Sequence, residues 1–189
     1  MSGSLFPLRV KAFAVARRRL INGFAASVTA FAAFVSLPQT ASARDVVSIS
    51  SSVQPGTIMI SARQRKLFFV VSPGVAIRYS IAVPKSGKEW FGSAMINAKY
   101  VNPDWVPPPI VKQDHPELPN FIPGGSPRNP MGVRALTLDR FQVAIHGTTH
   151  KMRASIGTAA SYGCIRMLNE DVADLYDRVS VGTPVVMMP

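Results

Sequence analysis

The sequence predicts a single, mainly β domain. Its apolar residues fall in short runs that are rich in Val, Ile, Phe and Tyr and are separated by turn residues, as the strands of a small domain are. These runs lie at residues 57–61, 66–72, 76–83, 94–101, 141–146 and 184–188. Ser72, Pro73 and Gly74 separate the second run from the third and are typical of a hairpin turn. One amphipathic helix and one proline-rich segment complete the pattern.

Residues 1–43 are predicted to be a cleavable export signal. They hold five basic residues and no acidic one, and an apolar stretch from Leu20 to Leu37 precedes Ala41 and Ala43 in A-x-A spacing. This order is typical of a signal that is cut after Ala43. A retained membrane anchor is the alternative. The arginine run at 17–19 leaves both the Sec and the twin-arginine export routes open.

The predicted mature chain contains a lead-in linker over residues 44–55 and one domain over residues 56–189. The net charge of the full chain is +11, and without the five positive charges of the signal it is +6. A moderately basic exported domain favours an anionic polymer or a membrane surface as its partner. The basic residues are scattered and no aromatic-interleaved basic cluster occurs, so we expect no nucleic-acid partner.

The segment from 102 to 131 is predicted to be an irregular but ordered flap. It holds nine of the 16 prolines of the chain, which removes backbone donors and disfavours a strand. A disordered linker is the alternative, but four apolar side chains could anchor the segment: Trp105, Ile110, Phe121 and Ile122. Ordered loops of this length are usually lids or binding loops.

The helix is predicted to start at Asn169 as its N-cap, with Glu170 and Asp171 in the first turn. Its apolar face falls at helical spacing on Val172, Leu175, Tyr176 and Val179. Gly182 and Pro184 end it.

Cys164 is a candidate nucleophile. It is the single cysteine of an exported chain, which leaves three interpretations open: a reactive thiol, intermolecular pairing, or an inert buried residue. Gly163 precedes it and permits an unusual backbone conformation, so the thiol is expected in a bend between sheet and helix. A thiol reacts as the thiolate, which requires a nearby base or positive charge.

Three histidines are candidates for that base: His115, His146 and His150. His146 ends the run at 141–146, and alternation puts it on the face opposite Phe141, Val143 and Ile145. A structural hydrogen-bonding role is the alternative for His146, and the other two histidines are expected to be solvent-exposed. The cysteine and the histidines lack the spacing of a metal site, and no glycine-rich phosphate loop occurs. We therefore expect no metal and no cofactor.

The motifs around His146 and Cys164 resemble those of a known enzyme family. Residues 145–176, IHGTTHKMRASIGTAASYGCIRMLNEDVADLY, resemble the signature of the L,D-transpeptidase catalytic domain, or YkuD family. In that family a His-Gly strand end is followed by a glycine-containing loop, a Ser or Thr, usually a His or Asn, and then Gly-Cys-Ile-Arg-Met. The offset from His146 to Cys164 is 18 residues, and the likeness continues through NPDWVPPPI, LPNFIPGG, NPMG and GTPVVM. It covers essentially all of residues 55–189.

The resemblance implies a β-sandwich or mixed sheet with one or two short helices and a proline-rich active-site flap. It implies that Cys164 is the nucleophile, that His146 is the general base, and that the Gly147 carbonyl orients the imidazole. Backbone N–H groups around Tyr162, Gly163 and Cys164 would form the oxyanion hole.

The resemblance assigns further roles around the nucleophile. Arg166 would hold a substrate carboxylate, lower the pKa of the thiol, or form an ion pair with the following helix. Ser161 would hydrogen-bond within the turn. Trp105, in the flap, would cover the bound donor substrate. Tyr162 departs from the family, which most often has His or Asn there. A tyrosine cannot replace an imidazole base near neutral pH, so His146 is the only matched base.

The implied function is transfer of a peptidoglycan stem peptide in the periplasm or cell envelope. Cys164 would be acylated by a stem tetrapeptide with loss of D-alanine. An amine of a second stem, or of an outer-membrane or other envelope protein, would then accept the acyl group. The family likeness also implies that Cys164 is a carbapenem target. Three alternatives remain: hydrolysis of the same thioester, a non-catalytic wall-binding protein, and a cysteine peptidase acting on proteins.

Overall fold

The structure, a computed structural model, describes residues 44–189, so the predicted signal at 1–43 lies outside the described residues. The strands of this part are β1 (Arg44–Ser48), β2 (Ile58–Ser61), β3 (Lys66–Ser72), β4 (Val75–Pro84), β5 (Gly92–Val101), β6 (Arg134–Leu138), β7 (Ala144–His146), β8 (Ala159–Ser161), β9 (Ile165–Met167) and β10 (Pro184–Met188). The helices are α1 (Pro109–Asp114) and α2 (Asn169–Arg178), with a 3-10 turn at Arg153–Ser155.

The strands form one mixed sheet that closes on itself. Its order is β1-β4-β3-β2-β10-β5-β6-β7-β9, and β9 also pairs with β4, which completes a circuit from β4 back to β4. Most neighbours are antiparallel, but β2 with β10, β7 with β9 and β4 with β8 are parallel. The mainly β, mixed-sheet prediction is confirmed, and so is the hairpin between β3 and β4.

The core lies inside this circuit. It is built from strand residues that alternate inward, among them Ile58, Ile60, Ile81, Ile145 and Ile165, all fully buried. Helix α2 adds Val172 and Leu175 to the same core, as its periodicity predicts. Within residues 44–189 no helix is long and apolar enough to span a bilayer.

Two expectations about the strands are wrong. Residues 44–48, assigned to the lead-in linker, form β1, whose residues pair antiparallel with β4 from Arg44 opposite Tyr79 to Ser48 opposite Val75. The run at 141–146 is a strand only over its last three residues, since 141–143 form a turn in which Gln142 has a φ of 57° and Phe141 is 89% exposed. Phe141 therefore does not share the buried face of Ile145. Strands β6 and β8 were not predicted.

The start of α2 also differs from the expectation. Its N-cap residue is Leu168, which offers no side-chain cap, and Asn169 is the first helical residue. The Asn169 carboxamide points away from its own helix and accepts hydrogen bonds from other loops, because the packing of those loops competes with local capping. Glu170 and Asp171 do lie in the first turn.

The flap, residues 102–131, is not wholly irregular: it contains α1 and a β-bridge between Trp105 and Ile122. Buried Asn129 braces it from within, donating to the Pro103 carbonyl at 2.8 Å and accepting from the Met131 N–H at 2.9 Å. The segment is therefore folded against itself.

Candidate active site

A cavity of about 380 Å³ lies between the flap and the ends of β7 and β9. A volume of this size suits a small peptide or a drug-sized ligand. His146, Cys164 and Arg166 line one side of it. The flap contributes an apolar wall made of Trp105, Pro108, Ile110, Val111, Leu118 and Ile122.

The parallel pairing of β7 with β9 brings the two predicted reactive residues together. Ile145 is opposite Ile165 and His146 is opposite Arg166, and both isoleucines are fully buried in the core. Because side chains alternate along a strand, His146 and Arg166 point to the other side, toward the cavity. Cys164, two residues before Arg166, lines the cavity with them. The expected histidine and cysteine thus share one site.

His146 is buried and held by its neighbour. Its Nδ1 lies 2.8 Å from the Gly147 carbonyl oxygen, so Nδ1 carries the proton and donates it. Burial and the nearby Arg166 charge lower the pKa of His146 to about 4, while the carbonyls of Gly147 and Pro130 partly oppose this. A neutral ring protonated on Nδ1 leaves Nε2 with a free lone pair, as a general base needs.

The surroundings of Cys164 favour a neutral thiol. Its Sγ donates to the Gln142 carbonyl oxygen at 3.6 Å, which a thiolate could not do. Burial raises the pKa of the thiol, and the Arg166 charge and the Ala144 N–H partly offset the rise. Both pKa shifts therefore favour a thiol and a neutral imidazole in this cavity over a preformed ion pair. Gln142, in the left-handed region, supplies this contact.

The turn that carries Cys164 is braced on both sides. Buried Ser161 donates its hydroxyl to the Cys164 carbonyl and accepts the Gly163 N–H at 3.3 Å. Gly163 has a φ of 136°, which favours glycine, and its carbonyl accepts from Trp90 Nε1 at 2.9 Å. The Gly163 N–H is committed to Ser161, which leaves the N–H groups of Tyr162 and Cys164 as the expected oxyanion donors.

Arg166 makes no ion pair with a carboxylate of the described residues. Of the α2 carboxylates, Glu170 pairs with Arg153 at 2.7 Å and Asp174 with Arg178 at 2.9 Å, and none pairs with Arg166. An ion pair between Arg166 and α2 is therefore wrong as an expectation. Burial lowers the pKa of the guanidinium, which lies at the cavity wall with its charge uncompensated.

Tyr162 joins the turn that carries Cys164 to the flap. Its hydroxyl donates to Asp114 Oδ2 at 2.6 Å, and Asp114 is the last residue of α1. Lys85 Nζ lies 3.7 Å from the centre of the Tyr162 ring and 3.5 Å from Asp114 Oδ2. The ring also meets the edge of exposed His115, with 6.4 Å between ring centroids. The tyrosine thus packs and hydrogen-bonds at the mouth of the cavity.

The remaining predicted residues also have clear positions. Trp105 lines the cavity from the flap. His115 lines it too but pairs with Glu117 at 3.3 Å, and His150 is exposed. Residues 44–189 hold no group of three or more His, Cys, Asp or Glu side chains that could hold a metal ion.

Sequence reasoning missed five residues that shape the site: Lys85, Trp90, Asp114, Gln142 and Asn169. Four of them act through long-range contacts or backbone geometry that leave no local pattern. Asn169 did have a signal, since it precedes an acidic first turn, but that signal predicts a cap and not a contact with the 147–148 loop.

Comparison with known proteins agrees on one family. The model of the YkuD family, described as the L,D-transpeptidase catalytic domain, matches residues 55–187. A protein of Escherichia coli named probable L,D-transpeptidase ErfK/SrfK is 32% identical over 145 residues, which is 72% of this chain and 45% of that one. The chain spans about half the length of the curated relatives that it matches first.

Solved structures give the same fold. An L,D-transpeptidase from Mycobacterium smegmatis is similar with a TM-score of 0.56 at 19% identity, covering 70% of this chain and 58% of that one. A Brucella melitensis protein named a probable carnitine operon oxidoreductase is 41% identical, with a TM-score of 0.51 over 77% of this chain and 92% of that one. The name of the latter describes that protein alone.

Proposed function

The chain belongs to the L,D-transpeptidase catalytic domain (YkuD) family, and we propose that it is a peptidoglycan L,D-transpeptidase whose nucleophile is Cys164. One observation carries the proposal: His146, which ends β7, and Cys164, which directly precedes the paired strand β9, line the same cavity under the flap. A binding protein would have no need for a buried base in the same cavity as its single thiol.

The first half-reaction acylates Cys164. As a donor tetrapeptide enters, His146 Nε2 takes the thiol proton while Sγ attacks the carbonyl of the third stem residue. The C–S bond forms, the C–N bond to the terminal D-alanine breaks, and the imidazolium returns its proton to the leaving amine. The Gly147 and Pro130 carbonyls both favour the protonated ring, so they stabilise the imidazolium during this step.

The second half-reaction transfers the acyl group to an amine. The acceptor amine attacks the thioester, its proton passes to His146, and the C–S bond breaks to restore the thiol. The amine belongs to a second stem peptide or to an envelope protein. Arg166 supports donor binding, because a guanidinium without a carboxylate partner at an apolar cavity wall is suited to the terminal carboxylate of a stem peptide.

The flap excludes water from the thioester. Its apolar side chains cover the cavity, and the Tyr162 hydroxyl bond to Asp114 ties α1 to the nucleophile turn. A dry site protects an acyl-enzyme from hydrolysis and strengthens the electrostatic contacts within it. We place this chemistry in the periplasm or cell envelope, after export by the predicted signal at residues 1–43.

Product analysis tests the proposal. The purified protein is incubated with a stem tetrapeptide and an added amine, and the products are identified by mass. A tripeptide joined to the amine supports transfer. Tripeptide and free D-alanine alone would instead indicate a hydrolase on the same site.

A further inference from the structure

The Gly147–Thr148 peptide is hydrogen-bonded on both of its edges. Its carbonyl oxygen accepts from His146 Nδ1 at 2.8 Å, and its N–H donates to Asn169 Oδ1 at 3.0 Å. A single peptide unit therefore connects the base to the first residue of α2.

Asn169 is packed so closely that its neighbours must be glycine. A Cβ atom added at Gly147 would lie 2.2 Å from Asn169 Oδ1, and one added at Gly132 would lie 2.2 Å from the same oxygen and 2.4 Å from the Thr148 nitrogen. Contacts this short do not occur in real structures, so the Asn169 amide occupies a slot between two glycine backbones.

The same oxygen also accepts the Val133 N–H, at 3.3 Å. Asn169 thus joins two loops that both border His146: the loop at 147–148, and the loop after Pro130 and Met131, which line the cavity. Both partners of Oδ1 are backbone donors, so only an acceptor suits the position. Meanwhile Leu168, the N-cap residue of α2, provides no side-chain cap.

We propose that Asn169 is a positioning residue for the His146 base, acting through the Gly147–Thr148 peptide. By holding the N–H edge of that peptide, it fixes the direction of the carbonyl that selects the Nδ1–H tautomer. Hydrogen bonds in a chain also polarise one another, so the bond to Asn169 strengthens the carbonyl as an acceptor for the imidazolium. This role rests on the proposed function, in which His146 is the base.

The test compares Asn169→Ala, Asn169→Asp and a control, Tyr79→Phe, in the full-length protein. The control removes the 2.6 Å hydrogen bond from the Tyr79 hydroxyl to Asp174, which ties the same helix to β4 away from the cavity. Three quantities are measured: the His146 tautomer from imidazole ¹⁵N spectra, the acylation rate at saturating donor, and the melting temperature.

Asn169→Ala is expected to populate both tautomers and to slow acylation by about 10-fold to 100-fold, with the donor KM changed by less than about 2-fold. Asn169→Asp keeps the acceptor, so it should keep the Nδ1–H tautomer. Its negative charge should move the acid limb of the acylation profile to higher pH. Tyr79→Phe should lower the melting temperature and leave the tautomer and the rate unchanged.

An Asn169→Ala protein with the wild-type tautomer and rate would overturn the proposal, and so would a Tyr79→Phe protein slowed as strongly. If Asn169→Ala does not fold, Asn169→Asp decides: loss of the Nδ1–H tautomer, or an unmoved acid limb, would overturn it. Failure of the proposed function is distinct, because the wild type would then not be acylated, while its tautomer and that of the variants could still be compared.

Discussion

His146 on β7 lies directly opposite Arg166 on β9, and both side chains face the same cavity. The positive charge of Arg166 lowers the pKa of His146 and also that of the Cys164 thiol. Burial is the larger cause of the lowered His146 pKa, and the Arg166 charge adds to it while partly offsetting the rise in the pKa of the Cys164 thiol.

Arg166→Gln removes this charge and should weaken donor binding. A hydrogen bond to a charged group is worth about 1.5–3 kcal/mol, so we expect the donor KM to rise about 10-fold or more. The pKa of His146 should rise above about 4, which moves the acid limb of the acylation rate to higher pH. Arg166→Lys keeps the charge and should leave that limb in place. A donor KM equal to that of the wild type in Arg166→Gln would contradict the assignment.

Tyr162→Phe should loosen the flap without disturbing the base. It removes the hydroxyl that donates to Asp114 but keeps the ring beside Lys85. The bond is exposed, so its loss should have a modest effect: a rise of about 5-fold or less in the donor KM and faster amide exchange in α1. Tyr100→Phe is the control, because it removes the hydroxyl of a half-exposed tyrosine on β5. Equal exchange of α1 in the two variants would show that the hydroxyl does not hold the flap.

Ser161→Ala should destabilise the nucleophile turn. The buried Ser161 hydroxyl bonds both to the Cys164 carbonyl and to the Gly163 N–H, and its loss leaves a buried donor unpaired at a cost of about 1–3 kcal/mol. Acylation should slow together with this loss, as measured by melting temperature and single-turnover rate. Ser155→Ala is the matched control, since its hydroxyl donates only to the Met152 carbonyl in a 3-10 turn. Equal losses of melting temperature and of acylation rate in the two variants would rule out a bracing role for Ser161.

Asp171→Asn should stabilise the protein at neutral pH. Asp171 is buried, its Oδ2 has no hydrogen-bond partner, and burial with Glu170 nearby raises its pKa from 3.8 to about 6. Because the folded carboxyl binds its proton more tightly than the unfolded one, its contribution is complete below pH 3.8 and is lost as the pH rises through about 6. Denaturant unfolding should give the variant a higher free energy of unfolding above this range and no gain at acid pH.

The pKa of His146 shifts in the opposite direction to that of Asp171. Its effect on stability should therefore be visible in the Asp171→Asn protein, in which residue 171 no longer titrates. The pKa of His146 falls from 6.5 to about 4 on folding, so its contribution is complete above pH 6.5 and is lost as the pH falls through about 4. The loss is on the order of 3 kcal/mol. The free energy of unfolding of Asp171→Asn should therefore decline from pH 6.5 to 4, and this decline should disappear in the double variant that adds His146→Gln.

The sequence predicted the strands whose apolar runs are visible locally, but it missed β8 for a physical reason. Strands β3 and β4 are long and rich in apolar residues, so their pattern is visible locally. Strand β8, Ala159–Ser161, has no β-branched or aromatic residue and exists because β4 pairs with it. Such a strand is a product of the tertiary structure.

The site was predictable as far as its motif extends. Cys164 and His146 could be named as candidates because their spacing matches a family signature. The contact of Tyr162 with Asp114 spans 48 residues, and the contact of Asn169 with Thr148 spans 21. Neither residue type reveals its partner, since Asn169 suits a helix cap equally well and a surface tyrosine needs no partner at all.

The central claim is that Cys164 forms the acyl-enzyme, and intact-protein mass spectrometry tests it most directly. The wild type, Cys164→Ala and His146→Gln are incubated with a stem tetrapeptide, and separately with a carbapenem. The wild type should gain the mass of the donor without its D-alanine, located at Cys164, and should gain a carbapenem adduct. His146→Gln should be acylated far more slowly and Cys164→Ala not at all. Release of D-alanine by Cys164→Ala at the wild-type rate would contradict the account.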